Sequence, residues 1–170
     1  MTADTPAFAS LLATPPDRMH VVRTLQDELL ADIPLTRAMG LSIDAWTGAS
    51  VTASAPLAPN VNDKGCAFGG SLASLLTLAG WALARLALEE HGHQADIYVQ
   101  DSRIRYLEKV WTDFRAIAIP VGDGALEDFV RTFASRGKAR LEVRCTVPSE
   151  GSGEAATLEG KFVALAPAPR

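Results

Sequence analysis

The 170-residue sequence is 48% apolar and 21% charged, which excludes a disordered chain and leaves enough apolar matter for one sizeable core. Sixteen basic against twenty acidic residues give a net charge of −4, so bulk charge offers nothing to hold a nucleic acid. Cys66 and Cys145 stand far apart with no CxxC pair, and a reduced, cytoplasmic protein is expected.

No signal peptide is expected, because the start has no continuous apolar core behind a basic segment. Residues 1–16, rich in Ala, Thr and Pro, read as a loose lead-in, residues 17–166 as one domain and 167–170 as a tail. From Asp17 to Ala31, Met19, Val22, Leu25, Leu29 and Leu30 recur at helical spacing. Asp32-Ile-Pro34 restarts a short helical turn that Gly40 closes as a C-cap.

Two short strands follow, Leu41–Trp46 and Ala49–Leu57. In the second, Val51, Ala53, Ala55 and Leu57 alternate with Ser50, Thr52 and Ser54, the pattern of a strand with one wet face. Pro56 and Pro59 end it and open a polar loop containing Asn60, Asn62 and the turn Asp63–Gly65.

Gly69 and Gly70 then lead into a helix over residues 70–90, apolar on nearly every side, with Gly92 just past its end. Its Leu72–Ala84 run is shorter than the ~20 apolar residues of a membrane span, and no membrane contact is expected.

Strand formers fill Asp96–Leu107, where the alternation slips around Asp101 and signals a bulge. A strand over Asp113–Val121, a turn at Gly122–Gly124 and a short helix over Ala125–Ser135 come next. Lys138–Val147 alternates cleanly, Ser149–Glu154 makes a hairpin loop, and Thr157–Leu165 is the last strand. Short connections favour antiparallel pairing, so the expected fold is α+β: an antiparallel sheet wrapped around the central helix.

A glycine-rich helix start leaves backbone N–H groups free at its positive end, where a carbonyl oxygen or an anion can settle. Asn62, a short distance upstream, can orient a water or bind a carbonyl. The alternative is that Asn60 and Asn62 make turn bonds and the glycine pair only allows tight packing.

The pattern Asn62-x-x-Gly65-x-x-Phe68-Gly69-Gly70 resembles the site loop of the hot-dog thioesterase superfamily, whose common form has His where Phe68 stands. The likeness is closer still to the thioesterase domain at the C-terminus of YiiD-type acetyltransferases. There the loop also reads Phe-Gly-Gly-Ser, a pair like Gly80-Trp81 follows on the helix, and a later strand resembles Asp101–Leu107. It spans about Pro34 to Leu165, and this sequence holds no acetyltransferase segment.

The resemblance implies a hot-dog fold, a homodimer with a tetramer as the alternative, and an acyl-CoA or acyl-carrier thioester as substrate, with no cofactor. It assigns carbonyl polarisation to the Gly70 N–H and placement of carbonyl or water to Asn62, with Gly69 and Phe68 beside the substrate. The acid that serves as base falls, by the same likeness, on Thr77, which cannot be a carboxylate. Thr77 with Ser74, Asp63 acting across a subunit boundary, and Asp101 at the bulge are the candidates to fill that gap, each with a plain structural alternative.

Two basic sets, one around Arg103 and the other including Arg136 and Lys138, suit the phosphates of coenzyme A or a solvated face. His91 and His93 flank Gly92 without a third ligand at a telling spacing, which points to helix capping and not to metal. Cys66 reads as packing. A purely acyl-binding module is the alternative function. A dehydratase comes last, since the loop offers no histidine.

Overall fold

The computed structural model describes residues 14–168. Most of the lead-in expected over residues 1–16 and the last two residues of the tail lie outside them. After a 3-10 turn at Pro16–Arg18, helix α1 spans Met19–Asp32 and α2 spans Pro34–Met39. Pro34 starts α2 because a first-turn residue needs no N–H partner. Gly40 ends it at φ 69°, where a side chain would be strained and a Cβ would meet the Pro56 ring at 3.0 Å.

Strands β1 (Ser42–Trp46) and β2 (Val51–Ala55) form a hairpin. Helix α3 (Gly69–Glu89) follows, then β3 (Asp96–Tyr106), β4 (Phe114–Pro120), α4 (Ala125–Arg136), β5 (Lys138–Pro148) and β6 (Glu154–Leu165). The six strands make one sheet in the order β1-β2-β4-β5-β6-β3, with every pairing antiparallel. The bulge expected near Asp101 is present: the β3–β6 register shifts between Val99 and Asp101.

Helix α3 lies in the concave face of this sheet and touches β2, β3, β4, β5 and β6. Leu72, Leu75, Leu76, Ala79, Leu83 and Leu86 bury themselves there, with Leu141, Val143, Leu158 and Phe162 among the inward strand residues that meet them. Gly80 sets the closest approach. A Cβ there would sit 2.7 Å from the Phe162 ring and 3.2 Å from Cys145 Sγ, so only glycine lets sheet and helix meet at this level. By length and hydropathy α3 is apolar enough for a membrane span, more than the Leu72–Ala84 run indicates, and 61% of that apolar window is buried inside the fold. Helix α4 covers β5 through Leu126, Phe129, Val130 and Phe133.

One expectation fails. The polar face of β2 is not wet, since Ser50 and Thr52 are as buried as Val51 and Ala53. The Ser50 hydroxyl is 2.9 Å from Thr47 Oγ1 inside the hairpin turn. Thr52 sits in register with Ala45 on one side and Ile117 on the other. Alternation shows which residues share a face, but not whether neighbouring strands close over it.

Candidate functional site

The loop between β2 and α3 is held from both ends. Asn60, 3% exposed, donates its amide to the Met39 carbonyl (2.8 Å) and the Pro56 carbonyl (2.7 Å), while its own carbonyl accepts from Phe68 N–H at 2.7 Å. Ala67 N–H donates to the Val110 carbonyl at 2.8 Å, which fastens the loop to the β3–β4 connection. Within the loop, the Asn62 side-chain oxygen accepts from Lys64 N–H at 2.8 Å, and its amide nitrogen lies 3.2 Å from Cys66 Sγ. Asn62 therefore shapes the turn and keeps one amide N–H uncommitted.

This clamped loop delivers Phe68 as the N-cap of α3. The Phe68 carbonyl accepts from Ser71 N–H (3.0 Å) and Leu72 N–H (3.1 Å), and no side chain caps the helix. The N–H groups of Gly69 and Gly70 point out of the helix start with no acceptor among the described residues. No acidic side chain occupies the first turn, so the positive end of the dipole is left uncompensated.

Two half-exposed aromatic rings flank the glycine pair. A Cβ on Gly70 would fall 2.3 Å from Phe68 Cε1, and one on Gly69 would meet the Tyr106 ring at 3.6 Å. Tyr106 also donates its hydroxyl to the Gly69 carbonyl at 3.2 Å. The result is an accessible donor, between two apolar walls, at the positive end of a buried helix. That arrangement suits a polarisable carbonyl oxygen carried on an apolar chain.

The family described as "Putative thioesterase (yiiD_Cterm)" matches residues 22–166. The chain belongs to this family. A protein of unknown function from Chlorobaculum tepidum TLS is similar at 28% identity, with a TM-score of 0.81 over 94% of this chain and 99% of that one. A "putative thioesterase" from Shewanella oneidensis is similar at 25% identity, with a TM-score of 0.77 over 86% and 98% of the two chains. A thioesterase from Haemophilus influenzae shares the fold at 17% identity and a TM-score of 0.65, over 85% of this chain and 90% of that one. The antiparallel sheet around a central helix is the hot-dog fold.

Within this YiiD_C chain the remaining expected residues scatter. Ser74 shares the helix face of Gly70 and donates its hydroxyl back to the Gly70 carbonyl at 2.8 Å. Thr77, one turn further, lines a shallow apolar hollow with Ile33, Leu35, Ala73 and Leu78, and its hydroxyl has no partner among the described residues. Asp63 is ion-paired to Lys64 at 2.8 Å in solvent.

Asp101 does not point inward. It stands in strand register with Lys161 on the face of the sheet turned away from α3, where it lines a hollow with Arg103, Glu142, Arg144 and Glu159. Arg103 is thus on the opposite side of the sheet from Phe68. Lys138 is nine residues before Val147 on β5, and Val147 is level with Ala156 and Tyr106, so Lys138 sits about 30 Å along the strand from the glycine pair. Arg136, next to it, is at the same distant end.

Both cysteines are free and buried. Burial pushes the Cys145 thiol up to about 12, against a weak opposing bond from the Gly80 backbone. His91 Nδ1 lies 3.0 Å from the Ala87 carbonyl, the capping role expected of it. The sequence marks Tyr106 only as a residue of the strand over Asp96–Leu107, with nothing local to give it a place in the site. Only its inward position on β3, level with the helix start, brings it to Gly69 from 37 residues away.

Proposed function

We propose that this protein hydrolyses acyl thioesters, carried on coenzyme A or an acyl carrier, with the Gly70 N–H holding the thioester carbonyl oxygen. The observation that carries this reading is the unpaired Gly70 donor at an uncapped, dipole-positive helix start between Phe68 and Tyr106. As water adds to the carbonyl carbon, charge moves onto the oxygen that Gly70 holds. The C–S bond then breaks, the thiol leaves with a proton and the acid keeps the hydroxyl. Asn62, through its uncommitted amide N–H, holds that water, while Thr77 faces Ile33 and Leu35 further down the helix.

The site is completed in a homodimer. Strand β3 supports this, being an eleven-residue edge strand with one unpaired side and half-exposed Tyr98, Val99, Tyr106 and Leu107 along it. Light scattering on the purified protein is expected to give twice the chain mass.

A second reading, an acyl-CoA or acyl-carrier binding module, is favoured by one fact: residues 69–81 contain no Asp or Glu, so α3 offers no carboxylate base near Gly70. A thiol-release assay across acyl-CoA chain lengths decides between them. The hydrolase reading expects turnover on at least one chain length and a clear drop in Asn62→Ala. Calorimetric binding without turnover establishes the binding module, and the absence of both sinks both readings.

A further inference from the structure

The Tyr106 hydroxyl and the Gly70 donor meet in one chemical unit. The carbonyl of Gly69 and the N–H of Gly70 belong to the same planar peptide, so whatever bonds one end acts on the other. In an α-helix the residue-69 carbonyl already accepts from residue 73, and its second lone pair takes the Tyr106 phenol at 3.2 Å. A second donor on that oxygen draws electron density through the amide and leaves the Gly70 N–H a stronger donor, the cooperative strengthening of linked hydrogen bonds. The same contact adds a second tether to a peptide plane with glycine on both sides. The Tyr106 ring lies along Gly69, 3.6 Å from where a Cβ there would stand.

We infer that Tyr106 is a positioning residue that polarises and orients the Gly70 N–H through the Gly69 carbonyl. The inference rests on the reading of Gly70 as the group that holds the thioester carbonyl. It extends that reading from the helix to strand β3. Phe68, whose ring also touches this glycine pair, has no polar atom to play the part.

The test uses Tyr106→Phe, which keeps the ring against Gly69 and removes only the hydroxyl. On the full-length protein, the Gly70 amide resonance is recorded by nitrogen-15 correlation spectroscopy for both forms, with Gly92, in a solvent-exposed turn, as internal control. The Gly70 nitrogen is expected to shift in the variant while Gly92 stays put; an unmoved Gly70 overturns the inference. In the thiol-release assay, kcat is expected to fall by roughly 3- to 10-fold with KM unchanged, a fraction of what deleting an oxyanion donor costs. A raised KM with unchanged kcat also overturns it, because the tyrosine would then only bind. Tyr106→Ala, which loses the ring as well, is expected to raise KM in addition. A wild-type protein that never turns over defeats the hydrolase reading alone, since the Gly70 shift still reports whether the phenol acts on the donor.

Discussion

The two ends of α3 are treated in opposite ways. At the C-terminal end, side chains and the following turn tie down the polar groups around Glu90. Glu90, which the negative end of the dipole disfavours, accepts from Arg18 Nε at 2.8 Å and from the buried Trp46 indole N–H at 3.1 Å. His91 bonds the Ala87 carbonyl, and His93 N–H reaches back to Leu88 at 3.0 Å. At the N-terminal end there is no side-chain cap, no acid in the first turn and, among the described residues, no partner for the Gly69 and Gly70 N–H groups. A helix stabilised throughout by its buried face can leave one end open, and the open end is the one proposed to receive the thioester.

Substitutions at the two ends should therefore separate activity from stability. The largest effect is expected for Gly70→Ala. Its methyl would stand 2.3 Å from Phe68 Cε1 and crowd the donor, so turnover should fall about 100-fold while melting stays nearly unchanged, because Phe68 is half-exposed and can swing away. Glu90→Ala should do the reverse. It strands the Trp46 indole and the Arg18 guanidinium, and chemical denaturation should show a loss of about 2 kcal/mol with kcat intact.

Cys145, on β5 opposite Gly80 at the middle of the helix, gives an effect confined to alkaline pH. Cys145 ordinarily ionises at 9.0 but is held up to about 12 by burial. The unfolded thiol loses its proton first, so stability is unaffected below pH 9 and declines above it, by up to about 1.4 kcal/mol per pH unit. The decline in stability above pH 9 should be shallower in Cys145→Ala than in the unaltered protein, whatever the variant's lower starting stability. The smallest effect is expected for Asp63→Asn in the exposed Lys64 pair, within about 0.5 kcal/mol in stability and with turnover unchanged. A large loss of turnover there would instead place Asp63 in the reaction of a neighbouring subunit.

How much of this the sequence disclosed follows the range of each interaction. The helix start at Phe68-Gly69-Gly70, the bulge before Asp101 and the α2 stop at Gly40 were legible because the conformations demanded are local to those residues. The burial of Ser50 and Thr52 was not, since it depends on what lies across the sheet. The partners of the site were not either: Val110 meets Ala67 and Tyr106 meets Gly69 only after β3 is docked in register on β6. The two loop asparagines shared a turn-forming alternative in the sequence, yet Asn60 is buried between Met39 and Pro56 and only Asn62, half-exposed, bonds within its own turn. The basic residues Arg136 and Lys138 drew attention by charge alone, which carries no information about distance from Gly70.

The most direct measurement of the central claim is a structure with a non-hydrolysable ketone analogue of an acyl-CoA bound. The ketone oxygen is expected about 2.7–3.1 Å from the Gly70 nitrogen, with the acyl chain between Phe68 and Tyr106. A ligand whose carbonyl lies away from the start of α3 would contradict the account.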